Sequence, residues 1–305
     1  MSTVIEFKNV CKDFKIVKHR EGIKGSIRDL FSREYKTVHA VNNISMFISQ
    51  GEIVGYLGPN GAGKSTTIKM MTGIMEPTSG QVIVNGNIPY KNRTRNAKEI
   101  GVVFGQRSQL WWSLPLVESF KILKEIYHIS DNDYNEMLDL YKSLINITDL
   151  LDKPVRQMSL GQRTLSDILA AFLHNPKVVF LDEPTIGLDN NSKKRLMKLL
   201  RKLKTRYSKT IIIVTHDVDM LYEIVDNVVV LNEGVVVKEG SKIDVFANVE
   251  LLDNNNTPVP SVIRFEKMIY DKTGIDLGYL KDMNSLVRKI KEVKDELREV
   301  GTKYD

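Results

Sequence analysis

The chain has 305 residues, 42% of them hydrophobic, a formal net charge of +6 at pH 7 and a single cysteine, Cys11. That length admits one large domain or two small ones, and the apolar fraction suits a globular core. One cysteine excludes an intrachain disulfide framework and a cysteine metal site, and no apolar run approaches the roughly 20 residues a membrane-spanning helix requires. The modest positive charge suits nucleic acid, an anionic membrane surface or plain solubility, and does not choose among them. Val4-Ile5-Glu6-Phe7 enters an apolar segment at once and leaves no room for a signal peptide, so the chain is expected to stay in the cytoplasm.

Residues 4–14 alternate apolar and polar side chains, as an edge strand does. Residues 16–36 break that pattern; Ile23, Ile27, Leu30 and Phe31 share one helical face, which predicts an inserted amphipathic helix over about 20–34. Strand alternation returns over 38–50. Glu52 to Leu57 is strand-like, Gly58 to Ser65 is a glycine loop, and Thr66 to Met71 reads as a helix with Gly73 as its stop. Gln81 to Val84 and the Asn85-Gly86 turn add β structure, and Ile100 to Phe104 make a strand that ends before Gln106. From about 115 to 175 the period becomes helical. Val178 to Leu181 and Ile211 to Val214 are continuous apolar runs, which suit strands buried on both faces. Between them lies a strongly basic helix near 193–206. Short strands near 228–231 and 235–237 follow, then a linker at Asn254 to Pro258 and a charged terminal helix with Leu286, Ile290, Val293 and Leu297 on one face.

The loop Gly58-Pro59-Asn60-Gly61-Ala62-Gly63-Lys64-Ser65 fits G-x-x-x-x-G-K-[ST] at every fixed position. Its glycines let backbone N–H groups turn inward as an anion nest, and the following helix, through Thr66, adds partial positive charge. Lys64 reaches β- and γ-phosphates, and the Ser65 hydroxyl ligates Mg²⁺. Asp182 and Glu183 follow one buried strand, and His216 follows the other. Open α/β sheets bind ligands at the carboxyl ends of strands, so these residues are expected on one rim with the glycine loop. There Asp182 suits Mg²⁺, Glu183 an attacking water and His216 a γ-phosphate. Taken singly, Asp182 reads equally as a helix cap and His216 as a structural loop residue. Ser159-Leu160-Gly161-Gln162 is both a capping box and a helix N-terminus open to phosphate, and local physics leaves both readings standing.

Taken together, Gly58 to Ser65, Gln106, Ser159 to Gln162, Val178 to Glu183, Gly187-Leu188-Asp189 and His216 resemble an ATP-binding-cassette ATPase in order and spacing, over about Val4 to Ser241. The pattern is most similar to the nucleotide-binding subunit of a bacterial exporter of the ABC-2 class. The resemblance implies an α/β P-loop cassette with a RecA-like core, an antiparallel β subdomain and a helical subdomain at about 115–175, occupying residues 1–240, with a linker and helical tail over 241–305. It implies Walker A at Gly58 to Ser65, and a Q-loop glutamine at Gln106 that senses Mg²⁺ and the attacking water. Ser159, Gly161 and Gln162 would form the signature facing the γ-phosphate of a second subunit. Asp182 would be the Walker B aspartate, Glu183 the catalytic carboxylate, Asp189 a D-loop residue and His216 the switch histidine. The ligands implied are ATP and Mg²⁺, the latter held by Ser65, Gln106 and Asp182. Leu160 departs from the usual glycine of the signature. The adenine-stacking aromatic is expected at Phe14, with Tyr35 as its rival.

The function expected from this resemblance is Mg²⁺-dependent ATP hydrolysis, at the cytoplasmic face of the membrane, coupled to a separately encoded integral-membrane permease and a second ATP-binding subunit. The alternative is a soluble cassette that remodels complexes or serves cofactor assembly. About 95 residues separate Lys64 from Ser159, room for a helical subdomain but not for the long coiled coil of genome-maintenance relatives. The basic helix is read as a solvated face, with no specific nucleic acid expected. Trp111 and Trp112, soon after Gln106, suit either a permease interface or packing of the helical subdomain. The inserted helix has the same two readings, a permease or membrane contact beside basic residues, or packing on its own β subdomain.

Overall fold

A computed structural model describes residues 2–18, 34–105 and 108–301. Two sheets organise them. The larger has six strands in the order β5 (Ile100–Phe104), β6 (Val178–Asp182), β7 (Thr210–Val214), β3 (Ile53–Leu57), β8 (Asn227–Asn232) and β9 (Val235–Ser241). All neighbours are parallel except the final β8–β9 hairpin. The smaller sheet is antiparallel, in the order β2 (Glu34–Ser49), β1 (Thr3–Lys18), β4 (Ser79–Val84).

The continuous apolar runs of the sequence are explained by two cores, one on each face of the large sheet. Ile53, Leu57, Val179, Leu181, Ile211 and Ile213 face one core. Val54, Tyr56, Val178, Phe180, Ile212 and Val214 face the other, together with Ile5, Phe7, Ile44 and Met46 of the antiparallel sheet. Alternation along a strand sends successive side chains to opposite faces, so a strand covered on both sides must be apolar throughout.

A helical layer covers the first core. It comprises α3 (Leu116–Tyr127), α4 (Asp131–Ile145), α5 (Thr148–Leu151) and α6 (Leu160–Phe172), after α1 (Lys64–Met71) and α2 (Arg93–Glu99) earlier in the chain. Phe120 meets Tyr141 edge to face at 6.5 Å, and the Tyr141 hydroxyl donates to the Leu169 carbonyl at 2.9 Å, so a buried phenol is satisfied. The basic helix is α7 (Asn190–Tyr207), whose Leu196, Leu199, Leu200 and Leu203 are buried. The sequence reading passed over α2 and over α8 (Val218–Ile224). In α2 the single buried residue is polar: Asn96 donates from Nδ2 to the Thr72 carbonyl at 3.1 Å, leaving no apolar stripe to read.

Two boundaries differ from expectation. The β1–β2 ladder runs on through Ile16↔Lys36, Val17↔Tyr35 and Lys18↔Glu34, so the ends of the 16–36 insertion are strand and Glu34 is not helical. The rest of the expected helix lies outside the described residues. The tail is not set off by an open linker. It contains α9 (Lys242–Phe246), α10 (Val249–Asn254), α11 (Ser261–Thr273) and α12 (Met283–Gly301). Val245, Phe246, Leu252, Ile263 and Leu286 belong to the same apolar cluster as β3, β6 and β7. Thr257 is buried, and its N–H donates to the Leu252 carbonyl at 2.9 Å, so Asn254 to Pro258 is a packed turn. Among the described residues, no helix is long and apolar enough to cross a membrane.

Phe180, 1% exposed, sits in the middle of β6 between the antiparallel sheet and the central strands. Phe180→Ala is expected to lower unfolding stability by about 3–5 kcal/mol, read from the midpoint of urea denaturation.

Candidate functional site

Strand register brings the site together. β6 and β7 pair from Val178↔Thr210 to Asp182↔Val214, and Gly55 of β3 pairs with Ile213. The segments that follow Leu57, Asp182 and Val214 therefore leave the sheet along one edge. A cavity of about 300 Å³ lies there, lined by the loop from Asn60 to Thr66 with Ala40, Asp182, Glu183, Val214 and His216.

The glycine loop is fixed by close backbone approach. Gly58 has φ +138°, and a Cβ there would lie 2.0 Å from the Leu231 carbonyl oxygen; at Gly63, φ +100°, it would lie 2.5 Å from the Ala40 carbonyl oxygen. Only glycine satisfies both the dihedral and the space. Gly61, also left-handed, has nothing within 4 Å of its Cβ position and opens onto the cavity. Gly63 stands at the N-cap of α1 and brings no side-chain acceptor. Among the described residues, the first-turn N–H groups of Lys64, Ser65 and Thr66 have no acceptor; the first such bond is Thr67 N–H to Gly63 at 2.9 Å. Unpaired donors at a helix N-terminus form an anion site.

The Lys64 ammonium folds back and donates to the carbonyls of Gly58 at 2.5 Å and Pro59 at 2.8 Å. Burial pushes its pKa down, opposed by the nearby Glu183 and Asp182 carboxylates. Burial raises the Asp182 carboxyl, with Lys64 and then His216 pulling it back. Desolvation is the largest influence on both groups, which marks this as a partly water-excluded site.

Glu183 is a rare left-handed non-glycine residue, φ +51°. Its N–H donates to the Val214 carbonyl at 2.7 Å, tying the turn after β6 to the end of β7. Its carboxylate accepts from the His216 N–H at 3.1 Å and from the Thr215 hydroxyl at 3.0 Å. The His216 imidazole Nε2 stands 3.6 Å from the same carboxylate. Thr215 is the residue that the sequence reading missed. Its only signal was its place between a buried strand and His216, and it is itself buried.

The other predicted positions lie elsewhere. Ser159 caps α6 in a full capping box with Gln162, and Gln162 Oε1 also accepts from Lys153 at 3.1 Å. A Cβ on Gly161 would lie 2.2 Å from the Gly187 carbonyl oxygen, so the start of α6 packs directly against the segment before Asp189. Asp189 caps α7 through the Ser192 N–H at 2.7 Å, and that bond lowers its carboxyl pKa. Ser159, Gly161, Gln162 and Asp189 do not line the cavity of Lys64. Phe14 pairs with Val38 and Tyr35 with Val17, three positions apart in an unbroken register, so the two aromatics face opposite sides of the sheet; the register shift between Lys12 and Asp13 leaves Ala40 unpaired between His39 and Val41. Gln106 lies outside the described residues; its neighbour Gly105 donates its N–H to the Asp182 carbonyl at 3.2 Å.

This donor set fits a magnesium nucleotide. Among the described residues no group of three or more His, Cys, Asp or Glu forms a metal cage. Mg²⁺ is typically held by one or two carboxylates with substrate phosphates and water, and Asp182, Glu183 and Ser65 line this cavity beside the free N–H groups.

A family model described as ABC transporter matches residues 41–186. The energy-coupling factor transporter ATP-binding protein EcfA3 of Clostridium perfringens is 32% identical over 239 residues, covering 77% of this chain and 84% of that protein. The chain belongs to the ABC transporter family. It is the ATP-binding subunit of such a transporter, with the P-loop cassette fold that the motif order implied. ABC transporter A family member 1 of Dictyostelium discoideum is 30% identical over 250 residues, and this chain spans 28% of its length. Among solved structures, cbiO1 from Clostridium perfringens, described as part of the ABC transporter complex cbiONQ, aligns with a TM-score of 0.65 and 29% identity, covering 84% of this chain and 95% of that one.

In this ATP-binding subunit the wall behind the phosphate loop tolerates no Cβ at Gly58. Gly58→Ala is therefore expected to weaken ATP binding by about tenfold or more, read by fluorescent-nucleotide titration, because loop displacement of even a fraction of an ångström unseats several N–H donors at once.

Proposed function

We propose that this subunit hydrolyses ATP to ADP and phosphate with Mg²⁺, and that closure of two such subunits around ATP drives a separate membrane permease. The observation that carries this reading is the convergence of Lys64, Ser65, Asp182, Glu183 and His216 on one cavity. Free N–H groups of the glycine loop and α1 would receive the β- and γ-phosphate oxygens. Lys64, released from the Gly58 and Pro59 carbonyls, would supply a full positive charge beside them. Ser65 and Asp182, with Gln106, would hold Mg²⁺, which when bound would offset the negative charge of the phosphates.

Glu183 is the proposed base. Its carboxylate takes a proton from water as the water oxygen bonds to the γ-phosphorus and the bond to the β–γ bridging oxygen breaks. Thr215 and the His216 N–H hold that carboxylate at 3.0 and 3.1 Å, so it need not reorganise for the reaction. His216 is proposed to contact the γ-phosphate. Phe14, whose partner Val38 lies two residues from Ala40 of the cavity lining, is the proposed adenine platform in preference to Tyr35.

That Ser159, Gly161 and Asp189 do not line this cavity supports a composite site, in which they serve the nucleotide of a second subunit. Trp111 and Trp112 are exposed, and the Arg163 guanidinium stacks over Trp112 at 4.9 Å, which supports a protein-binding surface for a permease on this side of the helical layer. The peripheral location at the cytoplasmic membrane face follows from that partner. The export reading rests on Leu160 and the 16–36 insertion; neither the EcfA3 nor the cbiO1 description mentions export.

Glu183→Gln is expected to retain ATP binding and to lose turnover by ~10²–10⁴-fold, since a positioned base contributes about that much. Lys64→Ala should instead weaken nucleotide binding itself. Near-normal phosphate release by Glu183→Gln removes Glu183 from its proposed role. For the partner, affinity capture of the tagged chain from detergent-solubilised membranes is expected to bring down a polytopic protein, and exclusively soluble partners would sink the transport reading. The direction is then read from ATP-dependent uptake in inside-out against right-side-out vesicles.

A further inference from the structure

The tail holds a cavity that the nucleotide chemistry does not use. Its volume is about 280 Å³, and it lies between α10, α11 and the connection from α11 to α12. It shares no lining residue with the phosphate cavity. Glu266 and Asp276 bring two carboxylates to it, and Tyr270 and Tyr279 bring two aromatic rings, each residue 56% exposed. Val249, Ile263 and Leu277 are the buried, apolar part of the lining.

Packing alone does not account for Glu266. It stands three residues after the buried Ile263 and three before Ile269, which packs on the same core, so it occupies the inward stripe of α11. Burial raises its carboxyl, the bond from the Leu280 N–H at 2.7 Å opposes, and the charge of Asp276 raises it further. That single N–H bond does not require a charge, because a glutamine oxygen would accept it as well. Asp276 Oδ1 accepts from the Gly278 N–H at 2.8 Å. The ion pairs made by α11 and α12 are Arg264–Asp253 at 2.8 Å and Lys289–Glu292 at 3.6 Å; among the described residues no cation pairs with Glu266 or Asp276. Lys267 also lines the cavity, exposed, without closing on either carboxylate. The uncompensated charge reaches the cassette: burial pushes the phenol of Tyr222 in α8 up to about 12, with Glu266 and then Tyr279 adding.

We propose that this cavity is a binding site for a small organic cation, a substituted ammonium whose charge meets the tyrosine rings and the two carboxylates while its carbon groups lie on Val249, Ile263 and Leu277. Each surface of the cavity rejects a different alternative. The paired carboxylates repel an anion. A neutral apolar molecule would bury Glu266 further and leave it unpaired, which costs more than the contact returns. A metal ion lacks ligands, since among the described residues no group of three or more His, Cys, Asp or Glu is placed to hold one. An alkylated ammonium suits all three surfaces, because aromatic faces attract it electrostatically and its substituents are themselves apolar. Ligand cavities typically span about 300–1,000 Å³, so this one takes a compact molecule. The proposal stands apart from the hydrolysis reading, with which it has no residue in common.

The test is isothermal titration of the full chain with benzyltrimethylammonium, beside benzyl alcohol as the uncharged control and benzenesulfonate as the anionic one. The cation should bind with a Kd of about 1 mM or tighter, and both controls at least tenfold more weakly. Glu266→Gln and Asp276→Asn keep their acceptors for the Leu280 and Gly278 N–H groups and remove only charge; each should weaken the cation by about fivefold or more. Tyr279→Leu should weaken it by about 3- to 30-fold, and Tyr279→Phe, which keeps the ring, should restore it. Saturating ATP without Mg²⁺ should leave the cation affinity within about twofold, since the two cavities are separate. Equal binding of benzyl alcohol overturns the proposal, as does wild-type affinity in Glu266→Gln, failure of Tyr279→Phe to exceed Tyr279→Leu, or displacement of the cation by ATP. If Glu266→Gln does not fold, wild-type affinity in Asp276→Asn, on the exposed connection, overturns it.

Discussion

The chemistry of this molecule depends on the level alignment of β3, β7 and β6 at their carboxyl ends. The Glu183 N–H bonds to the Val214 carbonyl directly beyond the Asp182↔Val214 pair, so the turn after one strand is stitched to the end of the next. Because side chains alternate with period two, a slip of one residue would turn Phe180 and Leu181 to each other's cores and rotate Asp182 away from Lys64. The two apolar cores therefore do more than stabilise the sheet. They forbid the neighbouring registers in which the cavity would lose its carboxylates.

Around that alignment the site concentrates unfavourable features. Glu183 holds a left-handed backbone that a long side chain rarely adopts, and Lys64 and Asp182 are both shifted toward their neutral forms by burial. Strain and desolvation of this kind persist only where the surroundings over-determine them. Here the surroundings are identifiable: the Val214 carbonyl, the Thr215 hydroxyl, and the Gly58 and Pro59 carbonyls that occupy the Lys64 ammonium. Of these, the Gly58 and Pro59 carbonyls are the ones that would give up their partner to an arriving phosphate chain, while the Val214 and Thr215 bonds hold Glu183 in place.

Much of this was legible in the residues themselves. The glycine loop carries its own context, strand before and helix after. Val178 to Leu181 and Ile211 to Val214 are apolar without interruption because both of their faces are covered. Those signals are local, and so they survive without coordinates. What escaped is long-range or polar. Thr215 acts on Glu183 across 32 positions and Asp167 on Ser108 across 59. Nothing in the neighbourhood of either names its partner. The α2 helix escaped because its one buried residue is Asn96. The Asn254 to Pro258 turn was misread because asparagine and proline mark turns whether the turn is packed or free. The capping box at Ser159 was legible as a cap, and the structure has that cap in full, while its proposed role toward a nucleotide involves a second chain that a single sequence does not describe.

The tail bears on the phosphate loop through a short chain of contacts. The Leu231 carbonyl stands where a Cβ of residue 58 would be, and the next residue, Asn232, donates from Nδ2 to the Asn255 side chain at 2.9 Å. The wall behind the loop is thus held in place from two directions, by β8 within the sheet and by the end of α10 in the tail. Cassette and tail share a boundary at the very spot where the backbone has least clearance. A tail evolved for a different partner could not be grafted onto this cassette as an independent appendage; it would have to present an equivalent of Asn255 or alter the seat of the nucleotide.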